Sequence, residues 1–356
     1  MARNFLMLTV LLGVSALGAF AQSGRVKTKE TPTPTPAPRP RVVYTPTENL
    51  ASPQPTPLPP PPPVNSEDDD EITIESALVP IPVSVTDREG AAVRNLRLED
   101  FILTIDGKVV EIGDLARSET PVRLALLFDN SSSVLIAREF EKKAAIKFFK
   151  KVIRPDKDLA ALFSVATYTR LEQPFTRDMS QLTAAIQRFP APEGATSLLD
   201  GVIKAAEYLK EVNGRRVIVI MSDGVDTISD ATFEQALRAA HVNNCQIYVV
   251  KTTDFENYKR TGQRGGNANI RSLEAERRMQ EFAAQTGGAV YSPLDERELD
   301  LAFTQISAEL SEQYILSYYP ENDRDSRGRF RTISLSLKNR DDVIVRTRKG
   351  YYVPRR

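Results

Sequence analysis

The sequence predicts an α/β domain, a mostly parallel sheet with helices on both faces, with β structure before and after it. Three observations predict it. Between Val122 and Leu310, apolar strand-like runs alternate with segments of helical periodicity, the pattern of repeated strand–helix units. The strand-like runs are unbroken apolar blocks such as LALLF and VIVIM. Strands buried on both faces read that way, whereas half-exposed strands alternate apolar with polar. Outside that stretch the helical period gives way to short β-rich runs.

Taken from the start, Arg3 precedes an apolar stretch over residues 5–20, and Ala19-Phe20-Ala21 fits a small-x-small cleavage site. Residues 1–21 are therefore expected to be a secretory signal peptide, or a membrane anchor if left uncut. Residues 22–70 are expected to be a disordered linker. Positions 31–63 hold 14 of the chain's 24 prolines, a run that builds no core and favours extended polyproline II. At ~3.1 Å per residue such a stalk reaches about 100 Å. The run EDDDE at 67–71 reads as its solvated end.

A first β section follows over 71–118. LVPIPVSV has strand character, and FILTI-DG-KVVEI at 101–112 reads as a hairpin, because Asp-Gly supplies the two positive φ angles of a type I′ turn. The α/β domain spans 119–311. Its strands are expected at 122–128, 159–167, 216–221, 246–250 and 289–291, and its helices at 140–153, 179–189, 197–212, 231–242, 272–285 and 297–310. A polar loop is expected at 252–270. A second β section, 312–356, carries strand-like runs at 313–319, 332–337, 343–347 and 351–353.

Composition narrows the function. The chain has 47 basic and 47 acidic residues, so it lacks the electrostatic footprint of a nucleic-acid binder. It has one histidine, His241, and one cysteine, Cys245. That excludes a disulfide framework and a Cys/His zinc cluster and leaves little for histidine-based acid–base catalysis. Cys245 stands in a strand-like run and reads as a buried structural thiol.

The run LALLFDNSSS ends in a carboxylate, Asp129, with hydroxyls at Ser131 and Ser133. In open α/β sheets ligands bind beyond the carboxyl ends of strands, where strand order reverses. Asp223 ends VIVIMSD in the same way, and Thr196, in GATSLLD, stands just before a helix. Two carboxylates and three hydroxyls thus converge at one edge of the sheet. Hard oxygen donors without His or Cys suit Mg²⁺ first, with Mn²⁺ or Ca²⁺ as alternatives. Two carboxylates leave such an ion with open or water-filled positions, one of which a partner's carboxylate can fill.

At these residues the sequence resembles the von Willebrand factor A (VWFA) family. Its metal-ion-dependent adhesion site (MIDAS) has the pattern D-x-S-x-S, then T, then D. Asp129, Ser131, Ser133, Thr196 and Asp223 match it in order. The resemblance covers about 121–310 and implies a Rossmann-like VWFA domain. It also implies that the serines and the threonine contact the ion directly or through water, and that the aspartates act mostly through bridging waters. The flanks, VPIPVSVTDREGAAVRNLRLEDFILTIDGKVVEI, QYILSYYP and VRTRKGYYVP, resemble those of an exported Acidobacteria-type VWFA-related family. On that resemblance the flanking strands are expected to form one β-sandwich-like domain with the VWFA domain inserted in it.

The implied function is an exported metal-dependent protein-binding or adhesion module that grips an Asp or Glu of a protein partner. The alternative is a structural or assembly scaffold of a cell-envelope complex with the metal dispensable. An enzyme is not expected, since no nucleophile–base pair is visible. No nucleic-acid partner is expected, and a membrane only if the N-terminal segment stays uncut; the location is periplasmic, cell-surface or secreted. In the 252–270 loop, Tyr258, Lys259, Arg260 and Arg264 are candidates to contact an acidic partner. Taken singly, the site residues also have plainer readings. Ser131, Ser133 or Thr196 can cap a helix, and Asp223-Gly224 can make a turn. Asp200 reads as a solvated first-turn charge. Asp226 stays outside the metal set, and Asp230 reads as a cap or a dipole partner of the 231–242 helix.

Overall fold

The computed structural model describes residues 78–117, 120–132, 138–192, 194–262, 270–320 and 327–354. The signal-peptide, linker and EDDDE expectations, Ser133 and Arg264 lie outside the described residues. The first β section forms β1 (Val79–Asp87), β2 (Phe101–Ile105), β3 (Lys108–Val110) and β4 (Asp114–Arg117). At the β2–β3 turn, Asp106 and Gly107 have φ of +48° and +79°, as the Asp-Gly reading requires.

The middle of the chain forms β5 (Val122–Asp129), β6 (Leu159–Val165), β7 (Arg170–Thr176), β8 (Arg215–Ser222), β9 (Cys245–Lys251) and β10 (Val290–Tyr291). They make one six-stranded sheet in the order β10-β9-β8-β5-β6-β7. All neighbours pair parallel except β6 and β7. The chain moves outward from β5 to β6 and β7, then returns to lay β8 on the other side of β5. Strand order therefore reverses between β5 and β8.

Among the described residues the helices are α1 (Arg138–Val152), α2 (Met179–Gln187), α3 (Leu198–Lys210), α4 (Phe233–Val242), α5 (Thr253–Thr261), α6 (Ile270–Thr286) and α7 (Glu296–Glu312). One face of β5, through Leu124, Leu126 and Phe128, packs with Phe148 of α1, Leu182 of α2 and Phe303 of α7. The other, through Ala125 and Leu127, packs with Val202 of α3, Ala236 of α4 and Phe282 of α6. Each fully buried large apolar side chain contributes roughly 1.5–3 kcal/mol, and coverage of both faces is what the unbroken apolar runs encode.

Three elements differ from the sequence reading. β4 and β7 are additional strands. RLEQPFT (β7) neither alternates cleanly nor is uniformly apolar, and Pro174 is tolerated because β7 is an edge strand. The 252–270 segment is not wholly loop: Thr253–Thr261 is helical, with the buried Phe255 stacked on Phe140, ring centroids 3.4 Å apart. Between α6 and β10, a Cβ on Gly288 would stand 1.9 Å from the Ile247 carbonyl oxygen. Gly288→Ala is expected to cost at least about 2 kcal/mol, read as a lower denaturant midpoint at unchanged m-value.

The last section forms β11 (Tyr314–Tyr318), β12 (Phe330–Leu337), β13 (Val343–Thr347) and β14 (Gly350–Tyr352). With the first section they make two sheets, β13-β1-β11-β4 and β14-β12-β2-β3. These share a core of Val79, Ile81, Val83, Phe101, Leu103, Leu316 and Ile333. The α/β domain is thus inserted into a β-sandwich built from both flanks, the architecture the sequence predicts. β13 pairs with β1 only from Val83 onward, which is why Pro80 and Pro82 fit in β1. Their carbonyls, left without a strand there, accept from Arg348 Nη2 and Thr347 Oγ1, each at 2.8 Å. Among the described residues no helix is long and apolar enough to cross a membrane.

Cys245 is buried, as expected, and burial pushes its thiol up to about 12. His241 is buried where α4 meets the sandwich, against the rings of Phe330 and Tyr352. Burial, then the Arg348 charge, push its imidazole down to about 4. The unfolded chain takes up this proton near pH 6.5, so the folded state loses stability as pH falls from 6.5 toward 4. The loss is about 2 kcal/mol by pH 5. His241→Phe is expected to remove that component, read as a smaller fall in unfolding free energy between pH 7 and pH 5 than in the wild type.

Candidate metal centre

Asp129 is the last residue of β5, level with Ser222 at the end of β8, because Phe128 pairs with Met221. This is the point where strand order reverses. Three loops meet there, and hydrogen bonds join each to the other two. The loop after β5 is tied to the loop after β8 through Ser222, whose hydroxyl donates to Asp129 Oδ2 at 2.5 Å and accepts from the Gly224 N–H at 2.9 Å. It is tied to the loop before α3 through Ser132, whose hydroxyl donates to the Gly194 carbonyl at 2.8 Å. The last two loops are joined by the Thr227 N–H donating to the Thr196 carbonyl at 2.9 Å and the Thr196 N–H donating to Thr227 Oγ1 at 2.9 Å.

Within this frame Asp129, Ser131 and Thr196 are each no more than 2% exposed. Asp129 Oδ1 accepts from the Ser131 N–H at 2.9 Å. Asp223 Oδ1 accepts from the Val225 N–H at 2.8 Å, a local turn that holds the carboxylate at the end of β8. Asn130, between the motif residues, fixes the loop: its N–H donates to the Val165 carbonyl at 2.7 Å, and its side chain accepts from Arg138. Burial, then the Asp223 charge, push the Asp129 carboxyl up to about 6 against the opposing hydrogen bonds from Ser222 and Ser131. The two carboxylates thus stand close enough to repel, Asp129 buried and Asp223 half-buried.

The plainer reading of Thr196 meets a physical obstacle. Thr196 does not cap α3. The first N–H groups of that helix are taken from another loop: Asp226 Oδ1 accepts from Leu198 at 2.8 Å and Leu199 at 3.2 Å, and Ser229 Oγ accepts from Leu199 and Asp200. The Thr196 hydroxyl makes no hydrogen bond to another described residue.

Asp200 differs from its sequence reading, and Asp230 from one of its two. Asp200 is half-buried and accepts from the Asp230 and Ala231 N–H groups at 3.1 and 3.0 Å, rather than standing in solvent. Asp230 does not cap α4; Thr232 does, in a capping box with Gln235.

Sequence reasoning put Asp129 and Asp223 at the ends of β5 and β8 and Thr196 just before α3, where the structure has them, and Ser133 lies outside the described residues. It missed the roles of Ser222, Asp226 and Thr227. Ser222 was visible as the residue before Asp223. The roles of Asp226 and Thr227 depend on a loop about thirty positions away, which local pattern does not signal. Tyr258 is in α5 and partly exposed; Lys259 and Arg260 belong to the same helix.

Residues 124–225 match the sequence profile of the von Willebrand factor type A domain. The inserted α/β domain, the A domain, has the von Willebrand factor type A fold. The chain is also similar to several solved structures. The conserved hypothetical protein BatB from Bacteroides thetaiotaomicron is 13% identical, with 53% of this chain and 98% of that one covered at a TM-score of 0.41. For an aerotolerance-related membrane protein from Bacteroides fragilis the values are 18%, 53%, 98% and 0.39. For the PilB minor pilin from Streptococcus sanguinis they are 13%, 54%, 61% and 0.40. No curated protein matches the chain significantly.

Among the described residues no three His, Cys, Asp or Glu side chains cluster as metal ligands. The donors at the A-domain site are two carboxylates with hydroxyls. Those able to hold an ion are Asp129, Ser131, Thr196 and Asp223.

Proposed function

We propose that the A domain is an exported protein-binding module that grips a partner's Asp or Glu through a divalent cation, Mg²⁺ first, held by Asp129, Ser131, Ser133, Thr196 and Asp223. The observation that carries this reading is the buried Asp129, pressed by the Asp223 charge at the sheet's switch point; the Thr196 hydroxyl, on an interlocked loop, is not used to cap α3. Hard oxygen donors of this kind suit Mg²⁺, Mn²⁺ or Ca²⁺. A bound cation would supply the missing positive charge and open positions for a partner's carboxylate oxygen. The chain's own residues do the rest. Ser222 and the Ser131 N–H orient Asp129, which favours a charge-balancing role through water. The hydrogen bonds of Ser132, Ser222 and Thr227 that interlock the three loops support a preformed frame for Asp129 and Thr196.

The site binds rather than catalyses. It contains no histidine or cysteine, and His241 belongs to the opposite end of the sheet, near the start of β9. Export is supported by the signal-like segment at 1–21 and by the similarity of the flanks to the exported Acidobacteria-type family.

The test is thermal unfolding of the protein in EDTA and in Mg²⁺, Mn²⁺ or Ca²⁺, beside Asp129→Ala. A ligand of the folded state at about 100 times its Kd adds about 2.7 kcal/mol. A rise in the wild type that is absent in Asp129→Ala is expected. Equal melting in every condition would overturn the metal reading and leave the envelope-scaffold reading.

A further inference from the structure

The end of the sheet away from the candidate metal centre carries a second feature. Where the amino ends of β8 and β9 meet β1 and β11 of the sandwich, there is a cavity of about 310 Å³. Arg215, Arg216, His241 and Arg348 line it, with Pro80 and Ile315 on the sandwich side, and none of its described lining residues is Asp or Glu. A volume of this order is at the small end of ligand sites.

Two of these groups, Arg348 and His241, are buried with nitrogens that have no hydrogen-bond partner among the described residues. Arg348 is 8% exposed. It donates through Nη1 to Asn244 Oδ1 and through Nη2 to the Pro80 carbonyl, while its buried Nε–H has no partner among the described residues. Arg216 donates to the carbonyls of Asn243, Lys210 and Val212. Arg215 donates to the Leu310 carbonyl and Gln313 Oε1, and Asp158, whose charge reaches it, is bound at 2.8 and 2.9 Å by Arg154. His241 is 6% exposed, and neither ring nitrogen has a hydrogen-bond partner among the described residues. The other charged group near it on α4 is Arg238, which lies over the Tyr352 ring.

Buried cations are normally paired with an opposite charge, and buried polar nitrogens are normally hydrogen-bonded. Here an unpaired guanidinium N–H and an unpartnered imidazole border one cavity with two further arginines and no carboxylate. We propose that this junction cavity binds a small oxyanion, a phosphate or carboxylate group, between Arg348, Arg216 and His241. Guanidinium forks match the oxygen spacing of both groups. The imidazole supplies a further N–H donor in its neutral form. Because Pro80, Ile315 and Arg348 come from the sandwich and Arg215, Arg216 and His241 from the A domain, the anion would bridge the two domains. The site is independent of the metal reading.

His241 is the chain's only histidine, so its imidazole resonances are assigned without ambiguity in the untagged protein. The experiment follows them by NMR while inorganic phosphate, or separately succinate, is added to about 10 mM, a range that reports millimolar and tighter binding. A saturable shift is expected. A response to phosphate alone assigns a phosphate ligand, a response to succinate alone a carboxylate ligand, and a response to both an undiscriminating oxyanion site.

Thr120 lines the cavity and is exposed, so substitutions there are expected to leave the fold intact. Thr120→Glu, which places a competing carboxylate at the rim, is expected to weaken the response at least about tenfold. The uncharged Thr120→Gln is expected to change it by no more than about twofold. No saturable shift with either anion, or equal responses from the two Thr120 variants, would overturn the proposal.

Discussion

In metal-free buffer at pH 7.5, Asp129→Asn is expected to unfold at a higher temperature than the wild type, and added Mg²⁺ to leave its melting unchanged. The Asp129 carboxyl is raised from its ordinary value of 3.8 to about 6, by burial first and the Asp223 charge second. A group raised in the folded state contributes stability that is fully present below its unfolded value and is lost as pH rises through the folded value. At pH 7.5 the ionised carboxylate therefore costs the fold about 3 kcal/mol. Asparagine removes that charge at nearly constant volume. Weaker bonding to Ser222 and the Ser131 N–H gives back about 1 kcal/mol. The net gain of about 2 kcal/mol should shrink as pH falls toward 4, where the wild-type carboxyl is already neutral. The same substitution removes the metal response, so the order of melting reverses in saturating Mg²⁺. A variant less stable than the wild type in EDTA would show that the two carboxylates do not repel in solution.

Glu309→Ala is expected to cost about 3–5 kcal/mol, the range for removing one partner of a buried ion pair. Glu309 lies near the end of α7 and is 4% exposed. Its carboxylate accepts from the Tyr248 hydroxyl of β9 and the Tyr291 hydroxyl of β10, each at 3.1 Å, and pairs with Arg346 of β13. One side chain thus ties the last A-domain helix, two strands of its sheet and the sandwich. Alanine leaves a half-buried guanidinium and two hydroxyls without their acceptor. Pairing it with Arg346→Met removes the stranded charge and should recover much of the loss, since apolar replacement of a whole buried pair is often neutral. Denaturant unfolding of both single variants and the double variant gives the coupling. A loss under about 1 kcal/mol in Glu309→Ala would mean that water reaches the pair.

The legible parts of the fold share one property: their signal is short-range. LALLF and VIVIM announce buried strands, and Asp106-Gly107 announces a hairpin whose positive φ angles the structure contains. Asp129 and Asp223 announce themselves as carboxylates at strand ends, where an apolar run has no other reason to stop. The misread elements lack that signal. β7 carries a proline and uneven patterning, tolerable only because it is an edge strand. α5 is polar except for Phe255, whose anchor, Phe140, is on a distant helix. Asp230 looks like a cap, but Thr232 and Gln235 form the better reciprocal pair two residues later.

The sequence by itself determined the alternation of strands and helices, the burial of the sheet on both faces, and the residue types gathered at its carboxyl edge. Periodicity and strand-end chemistry are written within a few positions of each residue. Only the tertiary structure decided how Ser222, Asp226 and Thr227 lock three loops around Asp129, how Glu309 meets Arg346, and how arginines from separate segments border one cavity with His241. Those partners lie tens to hundreds of positions apart along the chain. Their meeting follows from strand order and helix packing, a long-range outcome that no local pattern of residues encodes.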